Sequence, residues 1–182
     1  MGKKLIIVSG PSGVGKGTMV KELVERRGDV AVSVSCTTRE PRVGEVDGKD
    51  YHFITREEFM RRVENDGFLE YNVHFKSCYG TPKPFVVENL KTKHVLLEIE
   101  VDGALKVKEA MPDCVMVMIL PPSVEELRER LFKRGTEAKE KIEERLARFD
   151  YELSKKDEYQ YVIVNDDLSE AVDKLSAILD ME

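Results

Sequence analysis

The chain has 182 residues, 41% hydrophobic and 35% charged, the make-up of a soluble globular protein long enough for one domain with a sizeable core. A net charge of −6 argues against a general nucleic-acid binder, although local arginines can still gather phosphate in an acidic protein. No stretch approaches the roughly 20 apolar residues of a membrane span, and the apolar run Leu5 to Val8 is too short for a secretory signal. The three cysteines, Cys36, Cys78 and Cys114, are odd in number and lack metal-ligand spacing, which fits free thiols in a reducing cytoplasm.

The first predicted strand, Leu5-Ile6-Ile7-Val8, runs into Gly10-Pro11-Ser12-Gly13-Val14-Gly15-Lys16-Gly17-Thr18 and then a helical pattern. Glycines allow a turn tight enough to aim several backbone N–H groups at one phosphate, and the following helix adds its positive end. The spacing Gly10-x-x-x-x-Gly15-Lys16 fits a P-loop, with Lys16 as a point charge for the β- and γ-phosphates. Gly17 departs from the pattern, standing where Ser or Thr offers a hydroxyl to Mg²⁺. The helix is predicted from Lys16 to Arg27, with Met19, Val20, Leu23 and Val24 as its buried stripe and Gly28 ending it. A strand over Val30 to Val34 leads into Ser35.

From Thr37 to Thr81 long periodic runs give way to turn signals at Gly44, Asp47-Gly48 and Asp66-Gly67. Tyr51 to Ile54 reads as a short strand, and Thr55 with Glu58 as a capping box opening a short helix. Leu69, Tyr71, Val73 and Phe75 alternate with Glu70, Asn72 and His74, which predicts a strand with the first set as its apolar face. This region reads as a small, mostly β lobe inserted into an α/β core.

The core pattern resumes with a helix over Pro84 to Leu90 and a strand over His94 to Asp102. A strand of that length puts Glu98, Glu100 and Asp102 on one face, opposite Leu97, Ile99 and Val101, where three carboxylates repel unless a metal or cations are present. A helix over Gly103 to Ala110 and the apolar strand Val115 to Leu120 follow, ended by Pro121-Pro122. Ser123 and Glu126 form a second capping box, with Val124, Leu127 and Leu131 on one helical stripe. Lys133 to Arg148 is dense in charge; it reads either as an exposed helix pair or as a lid whose Arg134, Arg145 and Arg148 close over phosphates. Tyr161 to Val164 is the last strand, and Leu168 to Leu179 the last helix, with Asp167 as N-cap. Strand–helix alternation over most of the chain predicts a parallel sheet flanked by helices, of P-loop type, carrying the small mixed α/β lobe, with the charged stretch as a helical lid on the second of its readings.

The P-loop, the run Ser35-Cys36-Thr37-Thr38-Arg39-Glu40-Pro41-Arg42-Val43-Gly44-Glu45, Tyr79-Gly80-Thr81, Arg134-Gly135-Thr136-Glu137 and Val164-Asn165-Asp166-Asp167 together resemble guanylate kinase, nearly end to end. The Ser-x-Thr-Thr-Arg-x-x-Arg-x-Gly-Glu stretch is far more specific than the P-loop alone. The resemblance implies Mg²⁺-dependent transfer from ATP to GMP within a single domain. Its core comprises 1–34, 82–132 and 149–182, its GMP lobe 35–81 and its lid 133–148. It implies that Lys16, Arg134 and Arg145 stabilise the moving phosphoryl group. ATP is expected at Gly10, Ser12, Gly13, Val14, Gly15, Lys16, Gly17, Thr18, Arg134 and Asn165, the last near the adenine. Ser35, Arg39, Arg42, Tyr51 and Tyr79 are expected to hold the GMP phosphate, with Arg145 also on the GMP side, and Glu70 and Thr81 to read guanine. Arg148 and Arg130 match the family's lid arginines less well and read as solvated charges.

Two positions depart from the family pattern. Glu100-Val101-Asp102-Gly103 stands where Asp-x-Gln-Gly is usual, so Glu100 and Asp102 are candidates either for contacting GMP or for ordering Mg²⁺ water. Gly-Lys-Gly-Thr is similar to adenylate kinases, which implies Mg²⁺ held by nucleotide oxygens and water, with Glu98 and Glu100 as outer carboxylates. Two other classes fit the residues less well. Phosphopeptide-binding relatives of this fold lose the P-loop lysine or lid residues, whereas Lys16, Arg134 and Arg145 are present; a P-loop GTPase needs Asn-Lys-x-Asp, which is absent.

Overall fold

The structure, a computed structural model, describes residues 2–73, 76–133 and 139–181, with backbone alone at 139–141. His74 and Phe75 of the predicted alternation, and the lid residue Arg134, lie outside the described residues. The first strand, β1 (Leu5–Ser9), is buried at every position, as its unbroken apolar run requires of a strand covered on both faces. The P-loop then opens α1 (Lys16–Arg26), and β2 (Val30–Ser33) follows. Only Met19, Val20 and Leu23 of α1 are buried. Val24, assigned to the buried stripe by periodicity, is exposed, because two successive positions stand 100° apart and the sheet covers one of them. The helix ends when Arg27 turns extended, one residue before Gly28.

The inserted lobe contains β3 (Cys36–Thr37), β4 (His52–Phe53), α2 (Arg56–Glu64), β5 (Phe68–Val73) and β6 (Cys78–Pro82). Its four strands form a separate mixed sheet in the order β4-β3-β6-β5. The side chain of Thr55 caps α2, accepting from the N–H of Glu58 as the capping box predicts. Phe59 stacks on Phe68 with ring centroids 4.5 Å apart, and Cys36 and Cys78 complete this small core. The predicted facing of β5 is reversed. Glu70 is buried while Tyr71 and Val73 are exposed. Phe68 and Glu70, two residues apart, share the buried side, so the alternation holds but the covered face is the one that carries Glu70, against Phe59 of α2 and Gly103 of a later helix.

The core resumes with α3 (Lys83–Asn89), β7 (His94–Glu98), α4 (Val101–Ala110), β8 (Val115–Leu120), α5 (Val124–Lys133), α6 (Lys139–Ser154), β9 (Tyr161–Val164) and α7 (Leu168–Asp180). The five core strands pair in parallel in the order β2-β7-β1-β8-β9. Successive residues of β1 serve opposite faces: Ile6 and Val8 pack with Leu23 of α1 and Leu175 of α7, and Ile7 packs with Ala104 and Val107 of α4. The strand predicted to reach Asp102 stops at Glu98, and Glu100 becomes the N-cap of α4. The three carboxylates therefore do not share a strand face. Asp102 instead lies in the first turn of α4, where a negative charge suits the helix end. Among the described residues no helix is long and apolar enough to cross a membrane.

Candidate functional site

Ligand sites in open parallel sheets lie beyond the carboxyl ends of the strands, and the P-loop leaves β1 at that edge. Gly10 has φ +136°, and a Cβ there would meet the Ile119 carbonyl oxygen at 2.1 Å. Gly15 has φ +93°, and a Cβ there would strike the Asn165 side chain at 2.6 Å. Both positions thus need glycine twice over, for conformation and for room. Asn165, at the end of β9, is buried and donates from Nδ2 to the Val14 carbonyl at 2.7 Å. It clamps the loop from beneath. α1 begins with no side-chain cap and no acidic residue in its first turn, so its positive end remains for a ligand.

Lys16 donates from Nζ to the carbonyls of Gly10 at 2.5 Å and Pro11 at 3.0 Å, arching over the loop. Arg145, from α6, donates to the Ser12 hydroxyl and so reaches the same loop from the opposite side. The register pairs Val8 with Glu98, which sets Glu98 beside the loop. A Cβ at Gly17 would lie 3.5 Å from Glu98 Oε2. Thr18 is exposed on the first turn of α1.

Across the crevice stand the residues of the small sheet. Arg39 donates from Nη1 and Nη2 to the two carboxylate oxygens of Glu45, each at 2.8 Å. Its guanidinium lies 5.3 Å from the Tyr51 ring centroid and 5.7 Å from that of Phe53. The Tyr51 and Tyr79 rings meet edge-on at 6.0 Å. Burial pushes the Tyr51 hydroxyl above its usual range, with Tyr79 adding to the shift.

Glu70 is 7% exposed, yet the Thr81 hydroxyl donates to its Oε1 at 2.7 Å. Thr81 therefore orients the carboxylate from behind. Burial pushes the Glu70 carboxyl up from its ordinary value, an effect the Thr81 bond and the charge of Lys106 oppose. A Cβ at Gly103, in the first turn of α4, would crowd Glu70 Oε2 at 3.1 Å.

Arg148 gathers the acidic residues that the strand prediction had put on one face. It approaches Glu100 at 3.2 Å and Asp102 at 2.9 Å, and Glu152 of its own helix at 3.4 Å. The Tyr151 hydroxyl donates to the other Asp102 oxygen at 2.6 Å. A cation thus relieves the repulsion expected between these carboxylates, and Asp102 ties α4 to α6.

A cavity of about 430 Å³ joins these groups. It brings together Ser12, Lys16, Arg145 and Glu98 with Arg39 and Arg42. Ser35, Tyr51, Tyr79, Glu70 and Glu100 complete its predicted wall. Of the predicted residues that the structure describes, Gly10, Gly13, Val14, Gly15, Gly17, Thr18, Thr81, Asp102 and Asn165 do not line it. Arg148, a lid arginine on one reading of its charged stretch, lines it as well, as do Asn72 and Gly103, for which the sequence offers no role. Asn72 was within reach of pattern reasoning, since it stands two residues from Glu70 on the same strand. Arg130 faces away, donating to Glu126 and to the Asn165 carbonyl. Five cations converge on one crevice of an acidic chain, an arrangement suited to polyphosphate.

A sequence profile of the guanylate kinase family matches residues 2–182. A guanylate kinase of Caldanaerobacter subterraneus is 52% identical over 176 residues, covering 96% of this chain and 85% of that protein. One of Prochlorococcus marinus is 46% identical over 178 residues, 97% of each chain. The crystal structure of guanylate kinase from Anaplasma phagocytophilum superposes with a TM-score of 0.80 at 38% identity, covering 98% of this chain and 85% of that one.

Proposed function

The chain belongs to the guanylate kinase family and is a nucleoside monophosphate kinase, and from that premise we propose that it transfers the γ-phosphoryl group of ATP to GMP, with Mg²⁺, in cytoplasmic purine nucleotide metabolism. The observation that carries this reading is the single cavity shared by the P-loop and by Arg39, Arg42 and Glu70. Phosphoryl transfer asks a protein for positioning and charge neutralisation more than for covalent chemistry. The loop glycines and the start of α1 cradle the donor phosphates, Lys16 bridges toward the γ-phosphate, and Arg145 approaches it from α6. Arg134 joins them from the lid. Arg39, Arg42, Ser35, Tyr51 and Tyr79 hold the GMP phosphate in line. Glu70, oriented by Thr81, accepts from guanine N1–H and the 2-amino group, donors that adenine does not offer in that arrangement. Residues 35–81 act as the GMP lobe, 133–148 as the lid and the remainder as the core.

Among the described residues no cluster of His, Cys, Asp or Glu would cage a metal alone. The donors beside the loop are the hard oxygens of Glu98, close to the hydrogen-only face of Gly17, with Glu100 lining the same cavity. That set fits Mg²⁺ keeping nucleotide oxygens and water, with Glu98 and Glu100 holding those waters. When bound, the ion draws negative charge from the reacting phosphates. The test is ADP formation from ATP and Mg²⁺ with each nucleoside monophosphate in turn. GMP-dependent turnover supports the reading; no GMP-dependent ADP formation overturns it.

A further inference from the structure

The loop between β3 and β4 carries both candidate phosphate arginines on the acceptor side yet has almost no apolar support: Val43 is fully exposed and Val46 largely so. Its shape comes from carboxylates gripping backbone. Asp50 accepts from the Val46 N–H at 2.8 Å, Asp47 from the Phe53 N–H at 2.8 Å, and Glu45 from the Arg42 N–H at 2.7 Å. The turn from Arg42 to Glu45 is closed by the Glu45 N–H donating to the Arg42 carbonyl at 3.0 Å, with Gly44 at φ +90°.

Glu45 has a second task. Its other contact is the end-on fork with Arg39, and both side chains are largely buried, 18% and 19% exposed. Arg39 Nη1 also donates to the Glu40 carbonyl at 2.7 Å. Nη1 is therefore fully engaged, and Nη2 gives one hydrogen to Glu45. A guanidinium has five N–H groups, so the remaining pair is Nε–H and the second Nη2–H, the side-on edge whose spacing matches two phosphate oxygens. Neither Glu45 nor Glu40 occupies that edge; Tyr79, itself read as an acceptor-phosphate ligand, hydrogen-bonds the same guanidinium, and Tyr51 and Phe53 flank its face. The Arg39 charge and the Arg42 N–H hold the Glu45 carboxyl down at about 2, so the clamp stays ionised throughout the working range.

We propose that Glu45 is a positioning residue for the acceptor phosphate: one carboxylate fixes the turn at Arg42 and turns the side-on edge of Arg39 toward the cavity. This rests on the reading of Arg39 and Arg42 as GMP-phosphate ligands. Two effects oppose each other. The carboxylate withdraws positive potential from the pocket, but it freezes a rotamer-rich side chain and removes that ordering cost from binding. The proposal is that preorganisation outweighs the lost charge.

The experiment compares Glu45→Gln, Glu45→Ala and Arg39→Ala by steady-state kinetics, by titration with GMP and guanosine, and by thermal unfolding. Both Glu45 variants are expected to raise KM for GMP about ten-fold, with KM for ATP unchanged and guanosine binding retained. Glutamine, which keeps the shape and one acceptor, should lose less than alanine. Tighter GMP binding in Glu45→Gln would overturn the proposal, because it would show that Glu45 only neutralises Arg39. Equal weakening of GMP, guanosine and ATP with a lower Tm would also overturn it, as a purely structural role. If Arg39→Ala leaves GMP binding unaltered, the underlying phosphate reading fails; if it weakens GMP while both Glu45 variants do not, only the present inference fails.

Discussion

Glu70→Gln separates stability from recognition in one isosteric change. The carboxylate is 7% exposed, with its charge offset only by the Thr81 hydroxyl and the more distant Lys106. Gln keeps an acceptor for Thr81 and fits the space beside Gly103. It removes a charge whose burial costs the folded state, so Tm at neutral pH should rise or hold. The sign follows from linkage. A carboxyl raised above 4.5 in the folded state penalises folding while ionised, and the penalty disappears as pH falls through the folded value. The stability gap between variant and parent should therefore close in acid. Recognition moves the other way. Guanine presents two donors, and an amide supplies one acceptor and turns an N–H toward the second donor. One charge-assisted bond, about 1.5–3 kcal/mol, is lost and a donor–donor clash is added. A total of about 3 kcal/mol corresponds to roughly 100-fold in kcat/KM for GMP. Steady-state kinetics with GMP and AMP, alongside thermal unfolding from pH 4 to pH 8, read both effects. An unchanged kcat/KM for GMP, or a loss confined to KM for ATP, would refute Glu70 as the base reader.

Lys16→Ala should lower kcat by roughly 10²–10³ with little change in Tm, as expected for a charge acting on the transferring group; near-normal turnover in a coupled assay would contradict that. Asn165→Ala leaves the buried Val14 carbonyl without its 2.7 Å donor and should cost about 1–3 kcal/mol in denaturant unfolding while raising KM for ATP. Gly103→Ala adds helix propensity but presses a Cβ to 3.1 Å from Glu70 Oε2, so KM for GMP should rise several-fold with KM for ATP unchanged. The parent's kcat/KM for GMP should fall on the acid side with a midpoint above 4.5, and Glu70→Gln should lack that limb.

The apolar runs Leu5 to Val8 and Val115 to Leu120 could be read as buried parallel strands because nothing polar interrupts them, and the glycine spacing located the loop beside them. Capping chemistry was equally local: Thr55 and Asp167 cap their helices by the predicted side-chain bonds. Misreadings arose where tertiary contact overrides a period. Glu98, Glu100 and Asp102 look like alternate residues of one strand until α4 starts at Val101 and Arg148, 46 residues beyond Asp102, collects two of the three carboxylates. The alternation of β5 is plain in the sequence, but which of its faces is covered depends on α3 and α4 packing against it, and a count of apolar residues does not carry that. Asn165 has a further task that its motif does not show, since its side chain holds the Val14 carbonyl. Glu45 belongs to the arginine motif, but its grip on Arg39 depends on the fold of the turn between them.

The central claim is that donor and acceptor meet inside one cavity between the P-loop and the arginines of the small sheet. Inhibition by adenosine and guanosine joined through a polyphosphate bridge tests it directly. The account predicts one molecule bound per chain, competitive with both ATP and GMP, and weakened by Lys16→Ala and Arg39→Ala alike. Competition with only one substrate, or binding of two molecules per chain, would contradict it.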